Sequence, residues 1–143
     1  PRTLFPYTTL FRSAEALRTF GDHLGVAFQL VDDLLDYRGD AETLGKNVGD
    51  DLAEGKPTLP LIYTMREGTP EQAALVRKAI QKGGIEDLES IRAAVEASGS
   101  LDYTAQLARD YVARAIKCLD ALPASEYRDA LVELSEFAVA RTH

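Results

Sequence analysis

Three carboxylates and an amide share one edge of an otherwise apolar stretch, GVAFQLVDDLLDY, from Gly25 to Tyr37. No proline lies between Leu10 and Tyr37, and the apolar spacing fits a helix. At about 100° per residue, Gln29, Asp32, Asp33 and Asp36 fall on one arc of about 100°, with Gly25 on the same arc. Ala27, Phe28, Leu30, Val31, Leu34 and Leu35 fill the rest of the circumference. A helix apolar over most of its girth belongs inside a bundle. Like charges at i, i+4 destabilise a helix, and burying unpaired carboxylates destabilises it far more. The pattern therefore calls for a cation on the stripe. Oxygen-only ligands with room for water suit Mg²⁺, which uses one or two carboxylates plus substrate phosphates. The competing reading is an acidic, solvated helix face, and the apolar residues on both sides argue against it.

Residues 39–57, GDAETLGKNVGDDLAEGKP, read as a loop or a loop with a short helical turn. Gly39, Gly45, Gly49 and Gly55 allow close backbone approach to a ligand. The stretch is no Walker A loop, because Asn47 follows Lys46 where Ser or Thr is needed. On its own it fits a surface loop with two solvated lysines. Beside an acidic, metal-binding stripe, Lys46 and Lys56 read as diphosphate contacts.

The elements that position these groups are helical throughout. One long helix is expected from Ser13, as N-cap, to about Arg38. Gly21 and Gly25 weaken it, and the expected gain is space for a ligand or a close neighbour. Thr58 to Gly68 is a short helix with Pro60 in its first turn. Thr69, Pro70 and Gln72 mark the next start as N-cap, first helical residue and capping-box partner. Further helices are expected from Ile85 to about Ser98, from Leu101 to Leu122, and from Ser125 onward. The last should bury Tyr127, Leu131, Leu134 and Ala138. No segment alternates with period 2, so the chain is all-α. Cys118, His23 and His143 have no partner in sequence that would suggest chemistry.

The length of 143 residues fits one domain with a core. A net charge of −7 argues against nonspecific nucleic-acid binding. The single cysteine excludes a disulfide framework and a Cys-based zinc site, and points to a cytoplasmic setting. No run approaches the roughly 18 apolar residues of a membrane span. Residues 1–13 carry Arg2 and Arg12 and no acid, but lack the apolar run and cleavage site of a targeting segment. They resemble the translation of a sequencing adapter, so the functional reading covers residues 14–143 as one domain.

GVAFQLVDDLLDY followed by GKNVGDDLAEGKPTLPL resembles the second aspartate-rich region of trans-polyprenyl diphosphate synthases. Within that family it is most similar to the octaprenyl branch, which makes a quinone side chain. Gln29 three residues before Asp32, the pair Gly45-Lys46, and EGKPTLP from Glu54 to Pro60 carry the resemblance together. It implies an all-α isoprenoid-synthase bundle whose cavity is walled by two Asp-rich helices. Mg²⁺ ions would bridge those carboxylates to an allylic diphosphate, and isopentenyl diphosphate would attack the carbocation left when diphosphate departs. Carried over, Asp32 and Asp33 hold Mg²⁺, with Asp36 close by or acting through water. Gln29, Lys46 and Lys56 contact the allylic diphosphate, with Asp32, Asp33 and Lys46 as the catalytic set. Asp50 and Asp51 stand behind them. The family's upstream DDxxD helix and its basic residues for isopentenyl diphosphate have no counterpart here. The resemblance thus implies the C-terminal half of a homodimeric enzyme, with apolar surface left uncovered and little activity alone. Two rival readings are a terpene cyclase on the same fold and a non-catalytic subunit that tunes a partner synthase.

Overall fold

The structure, a computed structural model, describes residues 4–38, 49–83 and 86–140, with side chains from residue 7 onward. Among these residues every regular element is helical: α1 (Leu4–Arg38), α2 (Asp50–Ala53), α3 (Leu59–Glu67), α4 (Pro70–Lys82), α5 (Leu88–Ala97), α6 (Ser100–Cys118) and α7 (Glu126–Ala140). A 3₁₀ turn, Leu119–Ala121, ends α6 where Pro123 stops the chain from continuing. The chain divides into two units, residues 30–106 and a second built from residues 1–29 and 107–141.

The first unit has a core of Leu34, Tyr37, Leu52, Leu61, Val76, Ile91, Val95, Leu101 and Ala105. These residues come from α1 to α6, so burying them fixes the end of α1 against α2, α3, α4 and α5. Each large apolar side chain buried contributes about 1.5–3 kcal/mol. Polar groups inside are satisfied locally. Thr64 donates to Pro60 O at 2.8 Å, with Ser98 Oγ 2.9 Å away, and Ser100 donates to Val95 O at 2.9 Å. The capping box of α4 forms as expected: Thr69 N–H donates to Gln72 Oε1 at 2.8 Å, and Gln72 N–H to Thr69 Oγ1 at 3.3 Å.

The second unit packs Phe20, Leu24 and Ala27 of α1 with Val112 and Ala115 of α6, Leu119, and Ala138 of α7. His23 is half-buried against Tyr111, ring centroids 5.8 Å apart. Ser125 Oγ accepts from Arg128 N–H at 3.2 Å, capping α7 where the sequence has the last helix open.

Two expectations do not hold. Helix α1 starts at Leu4 rather than Ser13. Pro6 sits in the first turn, where a missing N–H removes no helical bond, while Tyr7, Leu10 and Phe11 stay 66–75% exposed. On α7, Tyr127 and Leu134 are exposed rather than buried, as is Phe137. The packed face is rotated toward Val132, Ser135 and Val139, and retains Leu131 and Ala138.

Gly21 and Gly25 have open space where a side chain would stand: a Cβ at either meets nothing within 4 Å. No close neighbour among the described residues therefore requires glycine there. Gly21→Ala and Gly25→Ala should each raise the free energy of unfolding, by up to about 1 kcal/mol. Urea titration of the two variants checks this, and a loss of stability would mean the positions are sterically constrained after all.

Candidate active site

Asp32, Asp33 and Asp36 lie in the last two turns of α1, the end where the helix dipole is negative. Asp32 is exposed, Asp33 is buried at 6% exposure, and Asp36 is half-buried. Gln29, one turn upstream, is exposed. Lys46 lies outside the described residues.

The chain then returns to this helix end through α2. Gly49 adopts φ +88°, a left-handed conformation that costs other residues about 1–2 kcal/mol. Its N–H donates to Asp36 O at 3.2 Å. A Cβ on Gly49 would also come within 2.6 Å of Leu88 Cδ1. Leu52, fully buried beside Leu34 and Leu61, pins α2 to the core. Lys56 follows α2, its N–H donating to Asp51 O at 2.9 Å. The Lys56 Nζ lies 3.2 Å from Asp51 Oδ1 and 2.6 Å from Glu54 Oε2. Lys56 is exposed, so these pairs hold it weakly and leave it available to another anion.

Burial and the negative charge of Asp51 push the Asp36 carboxyl up to about 6, and Asp50 adds to the effect. Backbone amides of Asp51 and Gly49 act in the opposite direction. Asp36 Oδ2 is buried and has no hydrogen-bond partner among the described residues. The Tyr37 and Thr58 hydroxyls are buried beside one another, and burial pushes the Tyr37 phenol up while Thr58 opposes the shift. Among the described residues, no three acidic, imidazole or thiol groups converge on one metal position. Carboxylates set this way suit an ion that takes one or two of them and completes its shell with water or phosphate.

Asp51 stands against Asp36, and Lys56 pairs with Asp51. The sequence ranked Asp51 low, and the signal that could have raised it was Gly49. A glycine before two acids allows the turn that sets Asp51 against the end of α1.

The polyprenyl synthetase family model matches residues 7–98. The chain belongs to that family. Octaprenyl diphosphate synthase of Escherichia coli K12 is 52% identical over 128 residues, covering 89% of this chain and 40% of the relative. An all-trans-nonaprenyl-diphosphate synthase (geranyl-diphosphate specific) of Rhodobacter capsulatus is 52% identical over 127 residues, covering 89% and 39%. A crystal structure of a polyprenyl synthase from Caulobacter crescentus CB15, complexed with calcium and isoprenyl diphosphate, superimposes with a TM-score of 0.81 at 46% identity. That match covers 90% of this chain and 40% of the neighbour. The fold is thus the all-α isoprenoid-synthase fold. The chain spans about 40% of the length of the curated relatives it matches. No helix of the described residues is long and apolar enough to cross a membrane.

In this member of the family, the raised Asp36 carboxyl makes a pH prediction. Between about pH 4 and 6 the folded chain keeps a proton that the unfolded chain has lost, because the folded value stands at about 6 against an ordinary 3.8. Ionisation therefore opposes folding: this group is neutral to stability below pH 4 and destabilising once pH passes 6. Asp36→Asn should be more stable than the native chain at pH 7 to 8, and the difference should vanish toward pH 4. Urea unfolding of both proteins across that range is the check, and equal stability at pH 7.5 would refute it.

Proposed function

We propose that this chain supplies the metal- and diphosphate-binding part of an all-trans polyprenyl diphosphate synthase, a prenyltransferase that condenses isopentenyl diphosphate with an allylic diphosphate. The observation that carries the reading is the approach of Asp51 to Asp36, with Lys56 paired to Asp51. Carboxylates and a phosphate-binding cation from separate segments meet at one helix end, in the order the family motif requires.

The donor set fits a hard divalent cation. All donors are oxygens, Asp36 Oδ2 is buried and unpartnered among the described residues, and like charge crowds it. Asp32, Asp33 and Asp36 would hold Mg²⁺, which when bound stabilises the negative charge that develops on departing diphosphate. Calcium with isoprenyl diphosphate in the Caulobacter relative supports divalent-metal use. Lys56 would exchange Glu54 for a diphosphate oxygen, and its point charge suits that role. Lys46 keeps the catalytic diphosphate contact that the motif assigns it, and Gln29 presents an exposed amide to the same ligand class. Preorganised charge of this kind is the main source of rate where leaving-group departure limits the reaction.

The relatives at equal identity are named for octaprenyl and nonaprenyl products. Shared sequence of this extent therefore tracks diphosphate handling more closely than product length. By the family resemblance the whole enzyme is a cytoplasmic homodimer of quinone side-chain synthesis.

The test is titration of inorganic diphosphate into this chain with and without Mg²⁺, followed calorimetrically. Binding should require the metal. Asp32→Ala and Lys56→Ala should each weaken it at least about tenfold, a loss of about 1.4 kcal/mol. Metal-independent binding, or unchanged affinity in both variants, would overturn the site.

A further inference from the structure

The last four carbonyls of an α-helix have no partner within it. At the end of α1, two of them are met from outside. Gly49 N–H donates to Asp36 O, and the guanidinium of Arg92, on α5, donates through Nη2 to Tyr37 O at 3.2 Å. Arg92 is held ready for this. Its neighbours Ile91 and Val95 are buried in the same core as Leu34 and Tyr37. Glu89, one turn back on α5, lies 3.5 Å from Arg92 Nη1. Arg38, in the last turn of α1, pairs with Asp102 of α6 at 2.6 Å, so a second cation also stands at this helix end.

The placement opposes an electrostatic difficulty. Carboxylates favour the start of a helix, and Asp32, Asp33 and Asp36 sit at its end, where the dipole adds to their mutual repulsion. A guanidinium on the terminal carbonyl offsets both and ties the last turn to α5. We propose that Arg92 is a positioning residue for the Asp32–Asp36 turn: it holds the end of α1 in the conformation that binds metal and diphosphate. This rests on the reading of the site given above, but its structural half is independent of that reading.

Arg92→Leu keeps an apolar stem and removes the donor, while Arg92→Lys keeps the charge and one donor direction. Two measurements on the full chain decide the matter. The first is amide hydrogen exchange, compared between residues 34–38 and α4. The second is Mn²⁺ uptake in the presence of inorganic diphosphate, followed by electron paramagnetic resonance. Arg92→Leu should speed exchange at 34–38 by about tenfold and leave α4 unchanged, as a local opening does. It should also raise the Mn²⁺ midpoint several-fold, with Arg92→Lys recovering part of both effects. Unchanged exchange at 34–38, or an equal rise in α4, would overturn the positioning role. So would faster exchange with an unchanged Mn²⁺ midpoint. If the native chain itself takes up no Mn²⁺ with diphosphate, the reading of the site fails, and the exchange data still decide whether Arg92 clamps the helix.

Discussion

Crowding of negative charge at the end of one helix is the constraint to which the rest of the site responds. Asp32, Asp33 and Asp36 occupy the last two turns of α1, and α2 brings Asp50 and Asp51 toward the same end. Repulsion of this kind would fray a helix left alone. Here the fold opposes it with apolar anchors and a few positive groups. Leu34 and Tyr37 fix α1 from the inside, and Leu52 fixes α2. Lys56 neutralises Asp51 and Glu54, and Arg92 and the Gly49 amide take up terminal carbonyls. A cation binding among these carboxylates would relieve strain that the fold already bears, which makes binding more favourable than it would be at relaxed acids.

Under the proposed function, the long elements would serve this end in a specific way. Stabilisation of a leaving group by fixed charge needs donors that do not reorganise when charge develops. Side chains on a helix packed from Phe20 to Tyr37 meet that need better than side chains on a loop. The residues that face Asp36 from the other side sit on a four-residue helix, Asp50–Ala53, too short to stand alone. Its rigidity comes instead from burial of Leu52 and from the left-handed turn at Gly49.

Much of this was legible in the sequence where the signal is local. Helical period, the Thr69-Pro70-Gln72 start and the Ser125 cap depend on neighbours a few positions apart, and all are present. The acidic stripe and Lys56 could be picked out for the same reason. Signals that depend on distant partners were not legible. Tyr127 and Leu134 have the period of a buried stripe, but periodicity defines an apolar arc and not which part of it finds a neighbour. Asp51 and Arg92 reach α1 only through the fold, Arg92 across 55 positions. The extension of α1 back to Leu4 was hidden by Pro6 and by aromatic residues whose side chains do not pack.

Where local rules are broken, they are broken together. Glycines inside a helix with nothing against them, acids at a helix end, and a buried carboxylate oxygen of Asp36 without a partner among the described residues all fall between Gly21 and Thr58. From α3 to α6 the rules are kept more closely, with the capping box of α4 formed and the hydroxyls of Thr64, Ser100 and Thr104 bonded to nearby carbonyls. A sequence optimised only for folding would spread such conflicts evenly or remove them. Their concentration on one helix and the turn that returns to it is what a binding requirement would produce, because the same features that weaken the fold would supply room and charge for a ligand. The breaks extend beyond the carboxylates to Gly21 and Gly25, further along α1 than the Asp32–Asp36 turn.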